Sequence, residues 1–443
     1  MSAARHLTVS ANGQTIGTLI EQDDIWALEY ADSWQQAAGA FPLSPALPLT
    51  QKLHRDGSSR RTVQWFFDNL LPEELLREVI SREQSVSASD AFGLLERLGA
   101  ESAGSLVLLP PGSPEAETGS QALTDHNLSS RIRNLPRTSL TAQSPKRMSL
   151  AGAQHKMVVL FNPQTGALNE PLRGSASSHI LKPNAQSAQY PHSVVNETFT
   201  MRLAHRLGLS VPPVYRRYVP EPVYIIGRFD RTWDSTTQDW KRKHVLDACQ
   251  LLDQPRIFKY SNASLGTLNQ LISRCRAKAA ARMAIFRWIL FNTLVGNSDS
   301  HLKNISFLMD AEGVQVAPFY DLLCTAVYHT RMYAGDAAIW PNEPLTIPIA
   351  DAGVFADVTR QKLIRTGMML GLAASASERE VARMIEHLPT AADALLADMA
   401  REMADVVARS GQPEILRATQ GAEAYLLRGV RKTVITDMLR RVA

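Results

Sequence analysis

The chain has only three cysteines in 443 residues, and Cys249, Cys275 and Cys324 lie far apart, in no C-x-x-C pair and at no Cys/His ligand spacing. That excludes a disulfide framework and a zinc site, and reads as three buried thiols. No apolar run reaches the roughly 18 to 20 residues a membrane-spanning helix needs, and the N-terminus MSAARHLTVSANG has no signal h-region. The expected location is therefore the cytoplasm, with no membrane partner. Charge of one sign is also scarce: 47 Lys and Arg face 43 Asp and Glu, a formal net charge of +4. Such a balance argues against a dedicated nucleic-acid binder, although KLHRDGSSRR at 52–61 could touch phosphates; it reads better as solvated surface. Internal repeats and low-complexity tracts are absent.

What is present is an ordinary globular composition, 45% hydrophobic, in a chain long enough for two or three domains. Residues 1–109 mix strand-like runs (HLTVSANGQTIGTLI, SAGSLVLLP) with a helical one (WFFDNLLPEELLREVISREQ), the pattern of a small α+β unit. PPGSPEAETGS then opens a connecting segment, 110–146, too rich in proline, glycine and short polar residues to build a core. Residues 147–231 hold the β-rich runs KMVVLF, SHILKP and PVYIIGRF around one helical pattern, VVNETFTMRLAHRLGL, which stops before Pro212. From 232 to 443 helical periodicity dominates, as in RMAIFRWILFNTLV and AADALLADMAREMADVV. The expected fold is α+β: a two-lobed, protein-kinase-like arrangement of β-rich N-lobe and helical C-lobe, with an added N-terminal α+β subdomain.

The stretch GNSDSHLKN, 296–304, points to chemistry. The apolar helix over 282–295 must end near Gly296, which sets Asp299, Ser300, His301 and Lys303 on a loop carried by a rigid element. Asp299 and Asn304 have the D-x-x-x-x-N spacing of a kinase catalytic loop, where the aspartate accepts a hydrogen bond from the attacking hydroxyl and the asparagine oxygen binds Mg²⁺. Lys303 can neutralise the migrating phosphoryl group, and His301 reads as a structural hydrogen-bond partner because Asp299 already fills the role of base. Asp321 in PFYDLL follows an apolar run and suits a second carboxylate for the same hard cation. Upstream, Ser149, Ala151, Gly152 and Ala153 precede the strand KMVVLF and let backbone N–H groups approach phosphates. Lys182 at the end of HILKPN matches a phosphate-holding strand lysine, with Glu197 as its candidate partner. Gly227, Arg228 and Phe229 fall where a hinge between lobes would lie.

In that order, FFDNLLPE, SLAGAQHKM, HILKPN, NE with LAHRLGLSVPP, GRFDR, GNSDSHLKN and PFYDLL resemble the HipA family of serine/threonine-kinase toxins from bacterial HipBA toxin–antitoxin pairs. The resemblance implies ATP and Mg²⁺ as cofactors and a HipB-like helix-turn-helix antitoxin as partner, through which operator DNA is met. It implies Asp299 as catalytic base with Lys303 beside it, Asn304 and Asp321 as metal ligands, and Ser149 as an autophosphorylated serine. Nucleotide contacts carry over to the loop Ala151, Gly152, Ala153, Gln154, His155 and Lys156, to Lys182, to Gly227, Arg228 and Phe229, and to His301, Lys303, Asn304, Tyr320 and Asp321. Gly227 and His155 stand where the family often has glutamate, and the histidine should make the loop more basic.

Two functional classes follow. One is an active toxin kinase that phosphorylates a cellular protein, an aminoacyl-tRNA synthetase being one candidate, and so arrests growth. The other is a binding subunit that stabilises an antitoxin on operator DNA, with kinase activity secondary or lost. Intact Lys182, Asp299, Asn304 and Asp321 favour the first. A small-molecule kinase of the aminoglycoside type shares the D-x-x-x-x-N logic but accounts for neither the N-terminal unit nor the AGAQ loop.

Overall fold

Alternate burial of Leu7, Val9 and Ala11 along Arg5–Ala11 starts a five-stranded antiparallel sheet. Its order is Leu53–Arg55, Ile25–Tyr30, Gln14–Gln22, Arg5–Ala11, Leu106–Leu109. The computed structural model describes residues 3–411 and 413–443. These form two compact units of interleaved segments. The first comprises the chain up to Pro183 with Ile225–Lys259 and Ser306–Ala317; the second comprises Asn184–Tyr224, Tyr260–Ile305 and Pro318–Ala443.

In the first unit the expected long helix after Gln64 is two helices, Thr62–Asp68 and Glu74–Gln84. Pro72 lies in the break, where its missing N–H and fixed φ disfavour a helix interior. A second sheet includes, side by side in this order, Ser120–Ala122, Leu168–Pro171, Met157–Phe161, His179–Pro183 and Pro222–Gly227. The connecting segment is irregular over 110–119 and again over 134–146; between them it supplies a strand of that sheet and the helix Asp125–Arg133, whose N-cap Thr124 accepts from the Asn127 N–H. Residues 139–140 are packed: Leu140 is buried, and Ser139 donates its N–H and hydroxyl to Glu83 at 2.5 and 2.6 Å. A three-stranded sheet, His244–Asp247, Ser306–Asp310, Gly313–Val316, lies beyond residue 232, where helix was expected.

A buried ionic cluster joins distant parts of this unit. Glu101, fully buried, receives Lys146 at 2.7 Å, Arg228 at 2.7 Å, Arg231 at 2.8 Å and Arg242 at 3.0 Å. Asp230 pairs with Arg228 and Arg231 at 2.6 and 2.9 Å. Despite its burial, Glu101 is held well below the usual carboxylate range by these cations. Lys146 is pushed down to about 8, first by burial.

The second unit is built on Lys278–Val295, a helix buried on nearly every side from Ile285 to Val295 because it is apolar all round. Ser193–Arg206 packs with the later helices, tied by Arg202–Glu402 at 2.7 Å, and Arg216–Glu423 closes at 3.0 Å nearby in the same unit. The alanine-rich region is one helix of 36 residues, Ala374–Arg409, that continues through Pro389. All three cysteines are buried and none is in a disulfide, and burial pushes the Cys275 thiol up to about 11. Among the described residues no helix is long and apolar enough to cross a membrane.

Candidate active site

The second unit carries the loop after Lys278–Val295. Gly296 ends the helix at φ 69°, and a Cβ there would lie 2.5 Å from Val434 Cγ1 and 2.8 Å from the Ala326 Cβ, so both conformation and space require glycine. Asn297 then ties the loop to the helix, its Nδ2 donating to Asn292 Oδ1 at 2.7 Å while its Oδ1 accepts the Asp299 N–H at 3.0 Å. Ser298 donates to Glu343, exchanges a hydrogen bond of 2.7 Å with Thr325, and its carbonyl accepts from Thr346. Burial raises the Glu343 carboxyl above its ordinary value. The base candidate thus sits between main-chain anchors on both sides.

Asp299 and Asn304 meet directly. Asn304 Nδ2 donates to the Asp299 carbonyl at 2.7 Å, and the His301 N–H reaches the same oxygen at 2.9 Å. With its amide nitrogen so engaged, Asn304 keeps Oδ1 as an acceptor, the atom a hard divalent cation needs. Tyr260 Oη donates to Asp299 Oδ1 at 2.7 Å, and Tyr320 Oη donates to the Lys303 carbonyl at 2.9 Å. Lys303, His301 and Asn304 are all buried.

Asp321 holds φ 53°, the left-handed region, which costs a non-glycine residue on the order of 1 kcal/mol and is found where surroundings impose it. It and Glu197 belong to one neighbourhood: burial and then the charges of Glu197 and Asp321 push the Tyr224 phenol well above its ordinary value. An asparagine oxygen and a carboxylate are the hard oxygen donors that Mg²⁺ takes.

In the first unit, Met148 and Leu150 pack with Val158, and between them Ser149 is fully buried. Its N–H donates to the Glu101 carbonyl at 2.6 Å and its hydroxyl to the Leu70 carbonyl at 2.8 Å. Gly152, at φ 104°, accepts the Glu73 N–H through its carbonyl at 3.2 Å. Lys156 Nζ folds back onto the Ala151 carbonyl at 2.5 Å, and Gln154 Nε2 reaches the Pro183 carbonyl at 3.1 Å. His155 does not make the loop basic, because burial lowers its pKa below the ordinary 6.5 and leaves it neutral at pH 7. Lys182 is buried at the end of its strand. The Arg228 side chain is engaged by Glu101, Asp230, Ser177 and the Ser102 carbonyl, and its N–H by the Ser178 carbonyl. Gly227 and Phe229 are partly exposed.

Residues 7–109 match the HipA N-terminal domain and residues 148–405 the HipA-like C-terminal domain. The chain belongs to the HipA family. It is 32% identical over 326 residues, 69% of its length and 71% of the relative's, to the serine/threonine-protein kinase toxin HipA of Shewanella oneidensis. It is 37% identical over 339 residues, 73% of its length and 78% of the relative's, to Y4mE of Sinorhizobium fredii, whose name marks it as a kinase by inference. The solved complex of Shewanella oneidensis HipA with HipB and operator DNA matches with a TM-score of 0.72 and 27% identity, covering 99% of this chain and all of that one. This chain is thus a kinase of the serine/threonine type, from a family that uses ATP with a metal ion. Motif spacing points to Asp299, Asn304 and Asp321; it does not point to Tyr260, Thr325 or Glu343, which come to the loop from remote segments with no local signature.

Proposed function

We propose that this chain transfers the γ-phosphoryl group of ATP to a serine or threonine hydroxyl of a cellular protein, as the toxin of a toxin–antitoxin pair. The observation that carries the reading is the Asp299–Asn304 bond: one hydrogen bond unites base and metal ligand on a glycine-capped loop. Asp299 accepts the hydroxyl proton, Lys303 offsets charge on the transferred group, and Asn304 Oδ1 with the Asp321 carboxylate holds Mg²⁺. When bound, the cation draws charge from the phosphate oxygens and fixes their orientation. Lys182, with Glu197 as its partner, and the backbone of Ala151–Lys156 take the phosphates, while Gly227 and Phe229 border the adenine.

The acceptor is a cytoplasmic protein, an aminoacyl-tRNA synthetase being one candidate, and its modification arrests growth. Ser149 is a second acceptor in the chain itself, and its phosphorylation switches the kinase off. A HipB-like helix-turn-helix antitoxin binds the chain and supplies most of the affinity for operator DNA. Phosphoproteomics of cells expressing wild type or Asp299→Ala tests the reading. Substrate phosphopeptides should vanish with the variant, whose rate should fall by about 10² to 10⁴; an Asp299→Ala protein as fast as wild type overturns the assignment.

A further inference from the structure

The four contacts of Asp299 fall into two kinds. Its N–H and carbonyl are fixed by Asn297, Asn304 and the His301 N–H. Those bonds set the main chain and leave the carboxylate free to turn, since the terminal torsion of an aspartate is broad and roughly two-fold. The remaining contact is Tyr260 Oη on Oδ1 at 2.7 Å. Tyr260 also presents its ring edge-on to His301, with centroids 4.8 Å apart and planes at 86°. It is 47% exposed, so burial does not oblige its hydroxyl to find a protein acceptor; the geometry holds it there nonetheless.

We propose that Tyr260 is a positioning residue for phosphoryl transfer: by occupying Oδ1 it presents Oδ2 to the acceptor hydroxyl, and its exposed ring forms a wall of the acceptor site. The proposal rests on the reading of Asp299 as base. In the step, the acceptor oxygen bonds to the γ-phosphorus as the bond from that phosphorus to the ADP oxygen breaks. The acceptor's proton passes to Asp299 Oδ2, and Tyr260 keeps its own. A base oriented by a third group is a recurrent device in enzymes that activate hydroxyls. The opposite role for Tyr260 would be a placeholder that the acceptor must displace, and the two roles predict opposite signs.

The test compares Tyr260→Phe, Tyr260→Ala and Asp299→Ala in the full chain with Mg²⁺ and ATP, using water and dephosphorylated casein as acceptors. Tyr260→Phe keeps the ring and loses the hydrogen bond, so kcat should fall on the order of 10-fold with both acceptors, the magnitude of one hydrogen bond to a charged group. KM for ATP and the melting temperature should not change. Tyr260→Ala should show the same loss in kcat and a raised KM for casein. A Tyr260→Phe enzyme as fast as wild type, or faster, overturns the proposal, as does a loss confined to KM for ATP or to melting temperature. Asp299→Ala separates the two levels: if it is inactive while Tyr260→Phe is normal, only the role of Tyr260 fails; if it is fully active, the reading of the base fails and this inference with it.

Discussion

Replacing Glu101 with glutamine changes one atom of its side chain and removes the charge at the centre of the buried cluster. Oε1 accepts from Ser177 at 2.9 Å, Arg228 at 2.7 Å and Arg231 at 2.8 Å, and Oε2 from Lys146 at 2.7 Å and Arg242 at 3.0 Å. Lys146, Arg228, Arg231 and Arg242 are set against Glu101 and Asp230, an excess of two positive charges that becomes three in the variant. Lys146 can relieve part of that by losing its proton, since its pKa is already about 8. The guanidinium groups cannot. Breaking a buried pair by removing one partner costs about 3 to 5 kcal/mol, and a glutamine amide that meets donors with its own N–H groups adds to this. At about 2 to 4 °C per kcal/mol for a unit of this size, the melting temperature should fall by roughly 6 to 20 °C. Urea unfolding and thermal scans followed by tryptophan fluorescence measure it, with Arg60→Ala as reference, since that pair with Asp253 leaves Arg60 75% exposed and should contribute under about 1 kcal/mol. A Glu101→Gln protein within about 1 kcal/mol of wild type would refute the argument that this charge holds the cluster together.

Asp321→Ala should weaken Mg²⁺-dependent ATP binding, whereas Asp299→Ala should leave it largely intact; calorimetric titration distinguishes a metal ligand from a base. Incubation with Mg²⁺ and ATP should add one phosphate to Ser149, found by mass spectrometry, and the modified protein should bind ATP weakly. A small DNA-binding antitoxin of the HipB kind, co-expressed with the chain, should co-elute with it at micromolar concentration, and operator binding should require the antitoxin. Stability should fall as pH drops from about 6.5 to 4. Burial depresses the His179 and His244 pKa values to about 4, so the unfolded chain binds the extra protons in that window. Each histidine contributes roughly 3 kcal/mol above pH 6.5 that is lost by pH 4. The urea midpoint should fall across this range, and less steeply in His244→Gln.

Local patterns carried the sequence reading where one element answers to one pattern. Met157–Phe161, His179–Pro183, Pro222–Gly227 and the helix ending at Gly296 lie where periodicity and glycine chemistry put them. The reading lost ground where pairing is remote. Ser306–Asp310 is a strand because His244–Asp247, far back in the chain, gives it an edge. Pro389 suggests a break, yet the helix Ala374–Arg409 continues through it, with Met384, Leu388, Ala392 and Leu395 buried along one side. Tertiary burial offsets a local cost of about 3 kcal/mol there. At the site the division is the same: D-x-x-x-x-N and the later aspartate are spacing signals, whereas Tyr260 lies 39 positions from the carboxylate it holds.

FFDNLLPE shows how a motif can act through its backbone rather than its side chains. Two main-chain groups of that stretch hold the loop proposed to take the phosphates: the Leu70 carbonyl takes the Ser149 hydroxyl and the Glu73 N–H goes to the Gly152 carbonyl. Pro72, bridged to Gly152, helps set the shape that aims them. Any side chain at 70 could offer the same carbonyl, so Ser149 is held by the path of the chain between two short helices. This also gives the proposed switch its direction. A serine hydroxyl can donate to a carbonyl, but a phosphate at pH 7 carries about −1.5 to −2 charges and only accepts. Phosphorylation would turn the Ser149–Leu70 attraction into repulsion at a fully buried position, between the buried Met148 and Leu150. The phosphorylated segment must therefore leave its seat, and the Gly152 carbonyl and Lys156 ammonium that shape the loop lose their anchor with it.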